Sequence, residues 1–373
     1  MTSVAFHVDQ LFFRVPGGTG TYIRELLPAL AIADPSLEVR AFHARFDTPA
    51  PPALARYHPV ELPRDIRTLY PRWNLIGRPP LPATLAGLDV VHTPSPAAIP
   101  PRGPGQRLVV TVHDLAFRLF PQMFPPAWRA TFRLGLRRAA ARADAIIAVS
   151  RHTATDLARL TKTDPGRIHV VPLAASLPWA ATATDLEATL ERLKVPQPYV
   201  LFVGTLEPRK NLVRLVRAYR RSMTAGLAHA LVLAGPLGWR SERLQRELKV
   251  SGPGEIFLTG RLGARDLDAL FRGADAFVYP SVYEGFGLPV LEAMARGVPT
   301  IVSTSSALPE VAGGAAIAVD PRSVRALSEA ITRVLGDPTE AQRLSEAGLA
   351  RAGRFSWERT ARATIDIYTG VAS

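Results

Sequence analysis

The chain has 373 residues, 47% of them hydrophobic and 21% charged, with mean hydropathy +0.08. That supports two α/β domains, is too much for one ordinary core, and leaves no room for long disordered tails. The net charge is +13, carried by 41 Arg and only 4 Lys, and it is uneven: residues 1–178 hold 21 basic and 12 acidic side chains, residues 179–373 hold 24 and 20.

Cysteine is absent, which excludes disulfides, Cys-ligated zinc and thiol nucleophiles and suits a reducing cytosol. The opening MTSVAFHVDQLFF lacks a basic n-region and meets Asp9 at once, so no signal peptide is expected. No apolar run reaches the roughly 18 residues of a membrane span. There is no 20–50-residue repeat of a solenoid or propeller.

Short apolar runs alternate with helical patterns, the signature of βαβ units and parallel sheets. The pattern predicts strands at Val4–Val8, Val39–Phe42, Val90–His92, Leu108–Val112, Ala145–Val149 and His169–Val171. Helices are predicted at Thr21–Ala33, Ala127–Arg142 and Thr153–Thr161, and Pro-rich loops over Thr48–Pro104. The alternation restarts with strands at Tyr199–Val203, Ala230–Ala234, Ile256–Leu258, Ala276–Tyr279, Thr300–Ser303 and Ala316–Val319. A first domain over 1–175, a linker over 176–198, a second domain over 199–355 and a closing segment over 356–373 follow. Two open parallel sheets facing one another would place a ligand cleft at their carboxyl ends.

In the second half, Ser281-Val-Tyr-Glu284-Gly285-Phe286-Gly287-Leu288-Pro289-Val-Leu-Glu292 follows a predicted strand. Gly285 and Gly287 let backbone approach a ligand, and Pro289 suits the first turn of a helix whose N-terminus offers free amides. Glu284 and Glu292 can bracket a ligand carrying hydroxyls at both ends. The alternative is a strand–loop–helix turn whose glutamates cap and solvate the helix. Gly204-Thr205-Leu-Glu207-Pro208-Arg209-Lys210-Asn211 places two cations at a helix N-terminus, an unfavourable position that an anion such as pyrophosphate would explain. A solvated basic turn paired to Glu207 is the bland reading.

In the first half, Gly17-Gly18-Thr19-Gly20 forms a glycine-rich strand–helix junction that is not G-x-G-x-x-G, which disfavours a NAD site. His113-Asp114 ends a strand, where a His can donate to a sugar hydroxyl or a phosphate or can simply be structural; His7 and His92 read as structural. Arg129, Arg133 and Arg137 make one face of a helix beside Trp128, Phe132 and Leu136, and Leu69–Ile76 reads as a loop mixing aromatics with Arg. Both are candidates for a lipid or acceptor contact, with a core-packed helix bearing a solvated Arg face as the plainer reading of the first.

Together the GGTG loop, the HD pair, GTLEPRKN, the Glu-x7-Glu segment and the closing FSWERTA resemble the retaining GT-B glycosyltransferases of family 4, in family order and over nearly the whole chain. The resemblance implies two Rossmann-like, doubly wound domains facing across a cleft, with the closing helix returning to the first. It implies transfer of a hexose from a nucleotide diphosphate sugar, with GDP-mannose favoured and a UDP-sugar next, to a saccharide or lipid-linked acceptor, which the basic first half leads us to expect to be anionic. Front-face attack with retention would need no metal and no cofactor beyond the donor. Glu284 is then expected on donor-sugar hydroxyls, Glu292 on the ribose, and the Gly287 and Leu288 amides on the diphosphate or sugar. Arg209 and Lys210 would neutralise the leaving pyrophosphate, Gly17, Gly18 and Thr19 would close on it, and His113 would lie beside the sugar. Gly204, Thr205, Gly260, Gly285 and Phe286 complete the expected donor site. Many members carry Arg where Thr205 stands. The protein is expected to be cytoplasmic, with peripheral contact at the inner membrane face.

An epimerase or phosphorylase of the same fold is the other enzymatic reading. The first would not be expected to combine Glu-x7-Glu with PRKN, and the second needs a cofactor lysine in a chain with four. A non-catalytic polyanion or nucleic-acid binder would need a basic patch interleaved with stacking aromatics; here Arg is dispersed, and no nucleic acid is expected.

Overall fold

The computed structural model describes residues 2–176, 183–224 and 226–372. One compact unit holds the described residues up to Leu173 together with those from Ser356 onward; the other runs from Ala174 to Phe355. The linker expected at 176–198 includes 177–182, which lie outside the described residues, and the helix Ala183–Arg192 occupies part of the remainder.

The first unit is built on seven parallel strands: β1 (Ser3–His7), β2 (Glu38–His43), β3 (Val60–Glu61), β4 (Val90–Thr93), β5 (Arg107–Val112), β6 (Ala145–Ala148) and β7 (Ile168–Val170). Their order is β3-β2-β1-β4-β5-β6-β7. β4 and β6 are buried along their whole length, as strands covered by helices on both faces must be.

Two expectations for this unit need correction. Gly17, Gly18 and Thr19 are not a loop: they form the first turn of the helix Gly17–Ala33. Gly20 explains the early start, since its N–H donates to the Pro16 carbonyl at 3.1 Å and a Cβ there would lie 2.2 Å from the Pro16 Cβ. The connection from β1 is instead a short 3-10 turn at Asp9–Phe12. Residues 48–104 are likewise more ordered than their prolines imply. Leu69–Ile76 belongs to the helix Ile66–Ile76, N-capped by Asp65, whose carboxylate accepts from the Thr68 N–H, and containing Pro71. Leu69 and Trp73 are core residues, while Leu75 and Ile76 are exposed. On the helix Pro126–Arg142, Leu136 is core and Phe132 packs on Phe117, but Trp128 is half exposed.

The last helix, Trp357–Ala372, packs on Gly17–Ala33. Its Thr360 hydroxyl donates to the Pro172 carbonyl, and its Tyr368 hydroxyl bonds His92 Nδ1. His92 Nε2 reaches Thr111 at 2.8 Å, and Thr111 reaches the Tyr22 hydroxyl at 3.1 Å. Burial, with smaller contributions from His113 and His7, pushes the His92 pKa down to about 3, so the ring is neutral in this network. His7 is also buried, against Thr93 and the Asp9 carboxylate.

The second unit has six parallel strands: β8 (Tyr199–Val203), β9 (Ala230–Ala234), β10 (Ile256–Gly260), β11 (Ala276–Tyr279), β12 (Thr300–Ser303) and β13 (Ile317–Val319), in the order β10-β9-β8-β11-β12-β13. β8 and β11 are therefore spatial neighbours whose connections leave in opposite directions. The loops at their carboxyl ends flank the switch point where doubly wound sheets bind ligands. Among the described residues no helix is long and apolar enough to cross a membrane.

Candidate active site

The loops after β8 and β11 are joined through Arg209 and Val282: the Val282 N–H donates to the Arg209 carbonyl at 2.9 Å. The β8 loop begins at Gly204, whose φ of +146° suits a residue without Cβ. It then forms a 3-10 turn at Pro208–Lys210 and ends at Asn211, which adopts a left-handed φ of +62° before the helix Leu212–Met223. The Asn211 amide donates to the Pro280 and Pro321 carbonyls at 3.1 and 2.8 Å, fixing the turn to the sheet's far side. Glu284 is held by its N–H donating to the Ser306 hydroxyl at 2.8 Å.

These tethers bring three of the candidate residues together. Glu284 is buried and shared by both cations: its Oε2 accepts from Arg209 Nη1 and its Oε1 from Lys210 Nζ, each at 2.7 Å. Lys210 is buried as well and donates to the Tyr279 hydroxyl. Arg209 Nε and Nη2 turn the other way, onto Glu207 Oε1 at 3.1 and 2.8 Å, while Nη1 also reaches the Tyr283 carbonyl. Burial pulls Glu284 upward, but the Arg209 and Lys210 charges outweigh it and hold the carboxyl at about 2. Burial raises Glu207, which stays above the ordinary carboxylate range despite the same two cations. The basic turn is paired to Glu207 as its plainer reading has it, but neither it nor Glu284 is solvated: Glu207, Lys210 and Glu284 are buried and Arg209 is half-buried.

The remaining second-unit candidates lie on the same loops, on the helix after β11 and at the ends of β8 and β10. Leu288 and Pro289 open the helix Leu288–Met294, and Glu292 lies one turn along it, half-buried. Gly287 has φ +107°, and a Cβ there would meet Leu308 Cδ2 at 2.7 Å. Its lack of a side chain thus serves packing as well as any ligand. Gly285 is buried, and Phe286 sets its edge against Phe355. Thr205 lies against the Gly238 backbone, where a Cβ would come 2.7 Å from its methyl group. Gly260 closes β10 at φ +67° and accepts from the Gly235 N–H; Gly235 itself has φ +144° and closes on the Gly204 carbonyl. Three adjacent strands thus end in, or run into, a glycine with positive φ. Gly235 was not singled out from sequence, although its place just after the predicted strand Ala230–Ala234 was the available signal.

In the first unit, Gly17 and Gly18 are exposed on the opening turn of their helix and Thr19 is half exposed. His113 meets the Tyr22 ring edge-on at 5.0 Å. Burial pushes its pKa down to about 4 although Asp114 and the Pro94 carbonyl oppose the shift, and its buried Nε2 has no partner. A neutral imidazole with a spare nitrogen can bind a hydroxyl. Among the described residues no three His, Asp or Glu side chains are grouped to hold a metal ion.

Family models match both halves of the chain: Glycosyltransferase Family 4 over residues 16–177 and Glycosyl transferases group 1 over residues 189–351. O-antigen chain mannosyltransferase B of Escherichia coli is 35% identical over 267 residues, covering 70% of each chain. Serotype-specific mannosyltransferase WbdA, also of Escherichia coli, is 30% identical over 236 residues, which are 61% of this chain and 29% of that longer one. Among solved structures, Anabaena HepE in complex with UDP-glucose superposes with TM-score 0.76 over 99% of this chain and 100% of its own, at 16% identity, a likeness of fold. The doubly wound sheets, the motif order and these matches agree, and the chain belongs to the family 4, group 1 glycosyltransferases.

Proposed function

We propose that this glycosyltransferase moves a hexose from a nucleoside diphosphate sugar to a saccharide or lipid-linked acceptor with retention of configuration, in surface glycan or glycolipid synthesis. The observation that carries the reading is the Arg209–Glu284–Lys210 array at the β8/β11 switch point. Breaking a glycosyl–phosphate bond builds negative charge on the departing diphosphate, and fixed cations in a water-poor site stabilise it. Arg209 and Lys210 fill that role, Glu284 accepts from donor-sugar hydroxyls, and Glu292 accepts from the ribose. The Gly287 and Leu288 amides face the diphosphate or the sugar. In the transfer the anomeric C–O bond to phosphate breaks and a C–O bond to the acceptor hydroxyl forms on the same face. The acceptor's proton passes to the departing phosphate oxygen, so no metal or further cofactor enters the balance.

The mannosyltransferase names of the sequence relatives favour GDP-mannose, and the UDP-glucose of the HepE complex keeps a UDP-sugar as the second candidate. The acceptor reading rests on charge. Residues 66–88 carry three Arg and residues 115–143 carry six, with no Asp or Glu in either stretch. The two helices in them pack together and expose Leu75, Ile76 and Trp128. Such a surface suits an anionic acceptor at the inner membrane face. Calorimetry with GDP, UDP, ADP and dTDP, followed by transfer assays with the matching sugar nucleotides, tests the donor. Binding of one nucleotide, unaffected by EDTA and weakened in Lys210→Ala, supports the reading; binding of none sinks it.

A further inference from the structure

The two cations assigned to the donor diphosphate are already neutralised, and not symmetrically. Glu284 bonds both of them, through one oxygen each. Glu207 bonds Arg209 alone, through Oε1, on the Nε/Nη2 edge of the guanidinium. Every nitrogen of that guanidinium is engaged: Nε and Nη2 with Glu207, Nη1 with Glu284 and the Tyr283 carbonyl. An incoming diphosphate therefore competes with a carboxylate, and the two carboxylates are not equivalent competitors. Displacing Glu284 frees a nitrogen on Arg209 and the Lys210 ammonium in a single step. Displacing Glu207 frees only Arg209, and it strips a second buried carboxylate of its partner. Glu207 Oε2 already lacks any hydrogen-bond partner although it is buried. A buried oxygen without a protein partner is costly and calls for an explanation.

We propose that Glu207 is a positioning residue of the donor site: it keeps the Arg209 guanidinium oriented by its Nε/Nη2 edge while Glu284 yields Arg209 Nη1 and Lys210 to the donor's diphosphate. The inference rests on the donor-site reading above and deepens it. Glu284 thereby has two successive partners: the two cations in the free enzyme, and sugar hydroxyls once phosphate has taken its place. An unoccupied site stays closed by its own ion pairs, and the sugar-binding carboxylate is released only when a diphosphate arrives.

The test is calorimetric binding of GDP, UDP and inorganic pyrophosphate to the full chain and to its Glu284→Gln, Glu207→Gln, Glu207→Asp and Lys210→Ala variants, with donor and acceptor KM, kcat and melting temperature measured alongside. Glu284→Gln removes the internal competitor, so diphosphate affinity rises about threefold to tenfold while transfer is lost. Glu207→Gln weakens diphosphate binding by about tenfold and raises donor KM with acceptor KM unchanged, and Glu207→Asp recovers part of the loss. The proposal is overturned if Glu284→Gln weakens the diphosphate as Lys210→Ala does. It is equally overturned if Glu207→Gln lowers only the melting temperature and leaves affinity and donor KM at wild-type values. Should Glu207→Gln fail to fold, Glu284→Gln and Glu207→Asp still decide it. Wild-type protein that binds none of the three ligands, or Lys210→Ala that binds them unchanged, would instead remove the donor-site reading itself.

Discussion

The Val282 N–H reaches the Arg209 carbonyl across 73 positions of sequence, and this 2.9 Å bond ties the turn carrying the two cations to the loop carrying the carboxylate between them. Side chains as long as Arg and Lys lose much rotamer freedom when fixed. A site built from them needs its backbone settled first. The Asn211 amide on Pro280 and Pro321 and the Ser306 hydroxyl on the Glu284 N–H complete that framework.

Lys210→Ala is expected to lower transfer by about a hundredfold to a thousandfold, the usual cost of losing one preorganised charge at a developing anion. Steady-state kinetics with the cognate donor checks it. Arg209 still neutralises Glu284 in this variant, so circular dichroism should report a folded protein.

Asn211 combines a left-handed backbone with two side-chain bonds, and the two contributions separate by mutation. Asn211→Gly keeps the backbone free to adopt φ +62° but leaves two buried-site carbonyls without the amide, costing about 1–3 kcal/mol. Asn211→Ala adds the left-handed penalty of about 1 kcal/mol or more and should be the worse of the two. Urea unfolding of wild type and both variants ranks them: Asn211→Gly as stable as wild type would show that the amide bonds carry no weight, and Asn211→Ala no worse than Asn211→Gly that the left-handed backbone carries no penalty.

Gly287→Ala should destabilise by about 1–3 kcal/mol, because a left-handed φ of +107° is forced on an L-residue and its Cβ meets Leu308. The double variant Gly287→Ala/Leu308→Ala relieves the clash and not the backbone strain. Its melting temperature should therefore fall by less than the two single effects summed, because the clash is gone, yet stay below that of Leu308→Ala alone, because the strain at φ +107° remains.

Stability should fall on mild acidification. His113 and His92 have folded pKa values of about 4 and 3 against 6.5 in the unfolded chain, so unfolding takes up protons anywhere below about pH 6.5. The stabilisation is complete above that pH and is lost as pH falls toward 4. At pH 5 each ring accounts for about 2 kcal/mol. Denaturant unfolding at pH 7 and pH 5 measures the loss, and His92→Gln should make the dependence shallower.

How much could be read in advance follows the range of the interaction concerned. β8, β9 and β11 begin and end where their apolar runs do, since a strand buried on both faces is written continuously. The helix Ile66–Ile76 was hidden by Pro71 in its middle, and the early start of Gly17–Ala33 by the low helix propensity of glycine, which packing of Gly20 on Pro16 overrides. Arg209, Lys210 and Glu284 were legible as residue types in motif order. Their mutual ion pairs, the supports from Asn211 and Ser306, and the orphaned oxygen of Glu207 were not, because each depends on how loops 22 to 110 residues apart in sequence are brought together.

The helix Trp357–Ala372 belongs to the first unit although the whole of the second unit is made before it. The Ala174–Phe355 unit is contiguous and can finish folding as it leaves the ribosome, whereas the first unit must wait for its closing helix. Until then the site of Tyr368 beside His92 is open and the face of Gly17–Ala33 that this helix covers is bare. The nascent first unit thus keeps that face uncovered for the entire synthesis of the second. Circular permutation that moves residues 356–373 ahead of the first strand would shorten that interval.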